Sequence, residues 1–256
     1  MIHGESVAVL ALLAGLWIGA WRAAGRPLPR VRAAAFGTGL AALAVALNGP
    51  LHDLAERSLI AAHMAQHLVL TLVAPPCLLA GTPGWMLDAL LAGVGRRRPA
   101  GLALRLLTAP VPALSLHGAI LIVWHLPSLY ALTLASHGWH VVAHATMLAS
   151  AVLAWWPVLS PSARFPALPH ATRILYLFAF GFPMTLVGAM ITGASDVLYP
   201  TASPTPLEDQ RLGGILMWVP SGFVPLVAFT LVFYRWANTE LSTDPPEEAP
   251  GQAQGA

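Results

Sequence analysis

Ala61-Ala-His-Met-Ala-Gln-His-Leu-Val-Leu-Thr-Leu-Val-Ala-Pro-Pro76 decides how this chain is read. The stretch is almost wholly apolar, yet it carries His63, Met64, Gln66 and His67. Its length and composition predict a membrane-crossing helix. In such a helix His63 and His67, four residues apart, share one face, one turn apart. Ionisable side chains at membrane depth are costly, so two imidazoles there point to a function rather than to chance.

The rest of the chain has the same character. Of 256 residues, 57% are hydrophobic and only 9% are charged, against about 25% charged in soluble domains. Mean hydropathy is +0.68. Lipid leaves open backbone groups unsatisfied, so the spans must be helices. Seven apolar stretches reach the roughly 20 residues that a crossing needs: 6–24, 31–50, 57–80, 109–127, 139–158, 171–195 and 211–236. The fold expected is an all-α integral membrane protein, a seven-transmembrane-helix bundle occupying residues 1–238. Residues 239–256 are rich in Pro, Glu, Gln and Gly and read as a disordered cytoplasmic tail. The first span has no basic residue before it and Arg22 after it, the reverse of a signal peptide, and reads as a retained helix.

Arginine sets the expected orientation. The chain has no lysine, and eleven of its thirteen arginines flank one set of span ends: Arg22, Arg26, Arg30, Arg32, Arg96, Arg97, Arg98, Arg105, Arg164, Arg173 and Arg235. Only Arg57 and Arg211 fall at the other ends. The positive-inside rule puts the eleven in the cytoplasm, the N-terminus outside and the C-terminus inside. This is a membrane pattern and gives no footprint for nucleic acid. Trp85 to Leu91 fits a segment lying flat at the cytoplasmic interface or a plain linker. Pro75-Pro76 predicts a kink in span three. The single cysteine, Cys77, excludes an intrachain disulfide and a CxxC metal motif, and reads as packing.

Eight of the ten histidines fall outside or in the outer half of the spans. His137, His140 and His144 follow an i, i+3, i+7 stripe at the start of span five. At 1.5 Å per residue, His67 lies about 6 Å deeper than His63, and His144 about 6 Å deeper than His140. The two pairs are therefore expected to line matching depths of one outward-facing cavity. His125 ends span four and is expected to meet His140 near the surface. His3, His52, His137 and His170, taken singly, read as interfacial or helix-joining residues. Met64, Met190 and Met217 lie on the same side. Imidazole with thioether suits copper, Cu(I) in particular, although methionine is first a core filler. Asp209 is expected either to cap span seven or to orient a metal-bound imidazole.

Four pieces of the chain resemble the seven-span CtaG-type family of bacterial cytochrome c oxidase assembly factors. They are His63-Met-Ala-Gln-His67 with Ala74-Pro-Pro76; Trp124-His-Leu-Pro127 with Leu129-Tyr130; His140 to His144 with Trp155-Trp-Pro157; and Tyr199-Pro200 with Asp209-Gln210, Leu212-Gly-Gly214 and Met217-Trp218. They run in family order over residues 50–220. The resemblance implies a non-enzymatic protein of the bacterial inner membrane. It would act on the catalytic subunit of haem-copper oxidase, supporting copper delivery there, with a periplasmic donor protein as a further partner. It also implies His63, His67, His125, His140 and His144 as copper-handling residues. Family members are expected to carry glutamate where this chain has Ala143, which implies weaker or different metal binding here. Three other readings compete. One is a haem-binding electron carrier, with iron between His67 and His117. Another is a di-iron membrane metalloenzyme, for which the chain is poor in carboxylates. The last is a scaffold whose histidines only join helices.

Overall fold

The computed structural model describes residues 4–56, 58–96 and 98–241; His3, Arg57, Arg97 and residues 242–256, most of the expected tail, lie outside the described residues. All regular structure described is helical. Six helical segments are long and apolar enough to cross a membrane, and a seventh is a pair of helices bent by 72°. The protein is a multi-pass membrane protein. Its outward surface is a coat of large apolar side chains, Phe178 and Val31 the most exposed among them at 87% and 81%. Lipid tails suit such a coat and water does not.

Helix α1 is Gly4–Ala24, α2 is Arg30–Leu47 and α3 is Gly49–Glu56. The last two form one span broken at Asn48, where the chain turns through Gly49 at φ +71°. The second span therefore runs further than expected, and His52 belongs to helix α3 instead of a loop. Span three is α4 (Ile60–Leu68), a π turn (Val69–Val73) and α5 (Ala74–Gly81). The expected outer half of span three thus starts at Ile60, three residues after 57.

Between spans three and four come α6 (Gly84–Arg96) and α7 (Arg98–Leu107). Helix α8 (Pro110–Trp124) has only 15 residues, about 22 Å of rise against a hydrocarbon core of about 30 Å. It is shorter than the 109–127 span expected. The chain restarts as α9 (Pro127–Ala135), where a short loop was expected. Helix α10 is His137–Leu159, and the sixth span is α11 (His170–Phe180) with α12 (Phe182–Gly193). Helix α13, Pro206–Leu241, starts before 211 and runs past 236 into the first residues of the expected tail.

Span three sits at the centre, gripped by small residues. A Cβ at Gly213 of α13 would lie 2.9 Å from Ile60 Cγ2, and one at Gly214 would lie 2.7 Å from the Gly188 carbonyl oxygen of α12. Backbones come this close only at glycine, a packing mode that membrane helices favour. On the other side, a Cβ at Gly81 would lie 2.3 Å from the Phe36 backbone nitrogen of α2. The arginine-rich end of the bundle is held by backbone acceptors. Arg32 donates to the carbonyls of Ala80 and Thr82, and Arg173 to that of Leu168. The histidines gather toward the other end.

Candidate metal centre

Helix α4 presents His63 and His67 on one face, and α10 presents His140 and His144 on the face opposite. The rings meet at matching depths: His63 and His140 centroids are 5.2 Å apart, His67 and His144 5.3 Å. A diagonal contact, His63 to His144, spans 5.6 Å. All four are buried. One ring nitrogen each from His63, His67 and His144 lie within 4.8 Å of one another. His63 Nδ1, His67 Nε2 and His144 Nε2 each lack a hydrogen-bond partner among the described residues. Nitrogens on a shared ion at about 2.0 Å stand roughly 3.3–3.6 Å apart, so small ring movements close the trio on a cation. The donor set fits a metal.

His125 lies behind His67, not beside His140 where it was expected. The reason is the shortness of α8, which ends at the deeper level of the cluster. His125 and His67 are linked at 3.1 Å, Nε2 to Nδ1, while His125 Nδ1 lies 2.6 Å from the Leu121 carbonyl oxygen. A carbonyl can only accept, so His125 Nδ1 carries the proton. Its Nε2 must then accept, and His67 Nδ1–H donates to it. That leaves His67 Nε2 as a bare lone pair turned to the trio. One backbone carbonyl thus fixes two tautomers in series, as outer partners of metal-bound imidazoles do. Tyr199 holds the same corner, donating to the His125 carbonyl at 2.7 Å.

The remaining expected residues divide. Met64 and Met217 are fully buried in the apolar core, and Met64 packs toward Gly213 of α13. Met190 is 64% exposed on the outer surface, away from the cluster. Asp209 does not reach an imidazole and does not cap its own helix. Its carboxylate accepts the backbone N–H groups of Ile60 at 2.8 Å and Ala61 at 3.1 Å, with Thr201 donating at 2.9 Å. It caps the helix that carries His63 and His67. His117 is bonded to Ser150 at 3.0 Å and stacked on Phe180, while His67 is packed against three other imidazoles. The trio contains no carboxylate, unlike a di-iron centre.

A family model described as cytochrome c oxidase caa3 assembly factor matches residues 13–239. The chain belongs to that family. No curated protein and no solved structure matches it. In this caa3 assembly-factor chain, every side chain of the histidine cluster falls inside the matched segment. Ala143 is buried one residue before His144 and supplies no carboxylate.

Sequence reasoning passed over several side chains at the site. Tyr130 packs its ring 5.0 Å from His63 and 4.5 Å from Tyr199. His52 lies 5.8 Å from His140. Gln66 donates to the Ala46 carbonyl at 2.6 Å and faces His52 Nδ1 at 3.0 Å. The amide hydrogens make His52 Nδ1 an acceptor, so its proton sits on Nε2, 3.2 Å from Glu56. Gln66 within the quoted stretch was the available signal, since a buried amide needs partners.

The floor of the site is shaped by Pro75 and Pro76. Pro75 has no N–H to give the Thr71 carbonyl four residues back. The helix responds with a π turn, Ala74 N–H bonding to the Val69 carbonyl, and π turns often accompany functional sites. The freed Thr71 carbonyl accepts the Trp155 indole N–H of α10 at 2.8 Å. Thr71 Oγ1 in turn donates to the His67 carbonyl at 2.7 Å. Trp155→Phe keeps an aromatic ring, though a smaller one, removes the indole N–H and strands that carbonyl. It is expected to cost about 1–3 kcal/mol, read as a lower midpoint in a detergent thermal melt.

Proposed function

We propose that this protein holds a copper ion transiently at His63, His67 and His144 and hands it to the catalytic subunit of a haem-copper oxidase during assembly. His140 lies at the outer rim of this site and His125 orients His67. The N-terminus faces outside and the C-terminus the cytoplasm, so the cluster opens toward the extracytoplasmic side of the bacterial inner membrane. A periplasmic copper donor would meet it there. The protein performs no chemistry on a substrate of its own. The observation that carries this reading is the trio of buried imidazole nitrogens without hydrogen-bond partners. An unpaired buried polar group costs on the order of 1–3 kcal/mol, and a cation relieves three at once.

Three nitrogen ligands leave a coordination position open, as ligand exchange with a donor and an acceptor requires. Imidazole accepts Cu(I), Cu(II) and zinc. The family's association with oxidase assembly favours copper. The test is elemental analysis of detergent-purified protein after loading with Cu(I) and removal of free metal. About one retained copper per chain is expected; none at saturating copper would overturn the reading.

Acid should release the ion. Protons compete for the same lone pairs, so affinity falls as pH is lowered. Copper retention is expected at pH 7.5 and loss in strong acid, checked by equilibrium dialysis at each pH. Equal retention at both would argue against imidazole ligation.

A further inference from the structure

A route leads from the exposed end of the bundle to the buried trio, and its walls are chemically graded. His137 opens α10 and is half exposed, as is Glu5 of α1. The two are in direct contact through His137 Nε2 and the Glu5 carboxylate. On its other side, His137 Nδ1 lies 3.8 Å from Glu56 Oε1 of α3. Glu56 Oε1 lies 3.2 Å from His52 Nε2, His52 packs on His140, and His140 lies 4.2 Å from His144 and 5.2 Å from His63 by ring centroids. A cavity of about 530 Å³ runs between α1, α2, α3 and α10. Glu5, His52, His137, His140 and His144 all line it. Apart from Ser6 of α1, its remaining wall is leucine, valine and alanine. His144, almost fully buried and with Nε2 unpartnered, sits on this same cavity.

We propose that Glu5, Glu56 and His137 form a loading port that captures the cation and passes it by way of His52 and His140 to the trio. The inference rests on the copper reading above and adds the path and its order. Two carboxylates at the mouth raise the local cation concentration, an effect that salt screens. Oxygen ligands at the port bind copper less firmly than imidazoles do. The ion therefore moves inward by ligand exchange, carboxylate oxygens giving way to nitrogens, with no change in oxidation state. Deeper in the cavity the apolar wall offers no competing ligand. Neighbouring imidazoles along the route stand within 6 Å of each other by ring centroids, so the ion passes from ring to ring.

 The step rests on the ring contacts alone, 5.8 Å from His52 to His140, then 4.2 Å to His144 and 5.2 Å to His63.

The test is stopped-flow loading of the full-length protein with Cu2+, which both carboxylate and imidazole accept. Quenching of tryptophan fluorescence reports the rate, and elemental analysis the final stoichiometry. Glu5→Gln with Glu56→Gln is expected to slow loading at least about tenfold and leave the final stoichiometry unchanged. Added salt should slow the natural protein and barely affect the variant. Should the double variant fail to fold, Glu5→Gln alone, at a half-exposed position, is expected to slow loading about threefold. An unchanged rate with full stoichiometry overturns the port and leaves the copper reading standing. A variant that loads at the natural rate but to a lower final level makes the carboxylates storage ligands and also overturns the port. A natural protein that takes up neither Cu2+ here nor Cu(I) in the elemental analysis overturns both.

Discussion

His67→Ala is expected to abolish copper retention, while His117→Ala leaves it intact. Both residues are buried histidines inside membrane-spanning helices, so burial and composition do not separate them. Their surroundings do. His67 is in the group of three imidazoles that can share an ion, with Nε2 unpartnered and Nδ1 held by His125. His117 is satisfied by Ser150 and stacked on Phe180. Removing a direct ligand should weaken binding by at least about 100-fold, the upper end of what losing an outer partner costs. Elemental analysis after dialysis reads this directly. In cells the same variant should lower oxidase activity while oxidase subunit levels hold. Equal copper loss from His117→Ala would move the site away from the cluster; full retention by His67→Ala would remove His67 from it.

The helical-membrane class was legible because composition and span length are dictated by lipid, and the pairing of His63 with His140 and His67 with His144 followed from helical rise alone. What failed to show was everything set by where a helix stops. His125 was expected near His140, but α8 is too short to carry it there. His52 fell in the outer loop because the second span was expected to end at 50, whereas Gly49 only turns the chain before helix α3 resumes. Met190 sits on the correct side in sequence yet points outward, since side alone does not fix the face of a helix. Pro75-Pro76 announced an irregularity but not its form, a π turn whose spare carbonyl is taken by Trp155 from another span. The partners of such freed groups are tertiary and leave no local pattern.

Asp209→Asn is the second large effect expected, and it acts at a distance. The carboxylate reaches from the start of α13 to the first two N–H groups of α4, 149 and 148 residues away in the chain. An asparagine keeps one acceptor and places its NH2 against a backbone N–H that needs an acceptor of its own. It also removes a negative charge from the positive end of the helix dipole. Losing a charge-assisted bond costs about 1.5–3 kcal/mol, so a thermal melt in detergent should show a clear drop in midpoint. The consequence for copper follows from position. His63 lies in the first turn of α4, three residues after Ile60, so loosening that turn moves the ligand nearest the cap. Copper affinity is expected to fall about tenfold in a competition titration, with His67 and His144 still able to hold the ion at high copper. Asp209→Glu, which keeps the charge but lengthens the arm, should fall between the two. A midpoint and an affinity both unchanged in Asp209→Asn would mean that α4 keeps its place through the Gly213 contact alone.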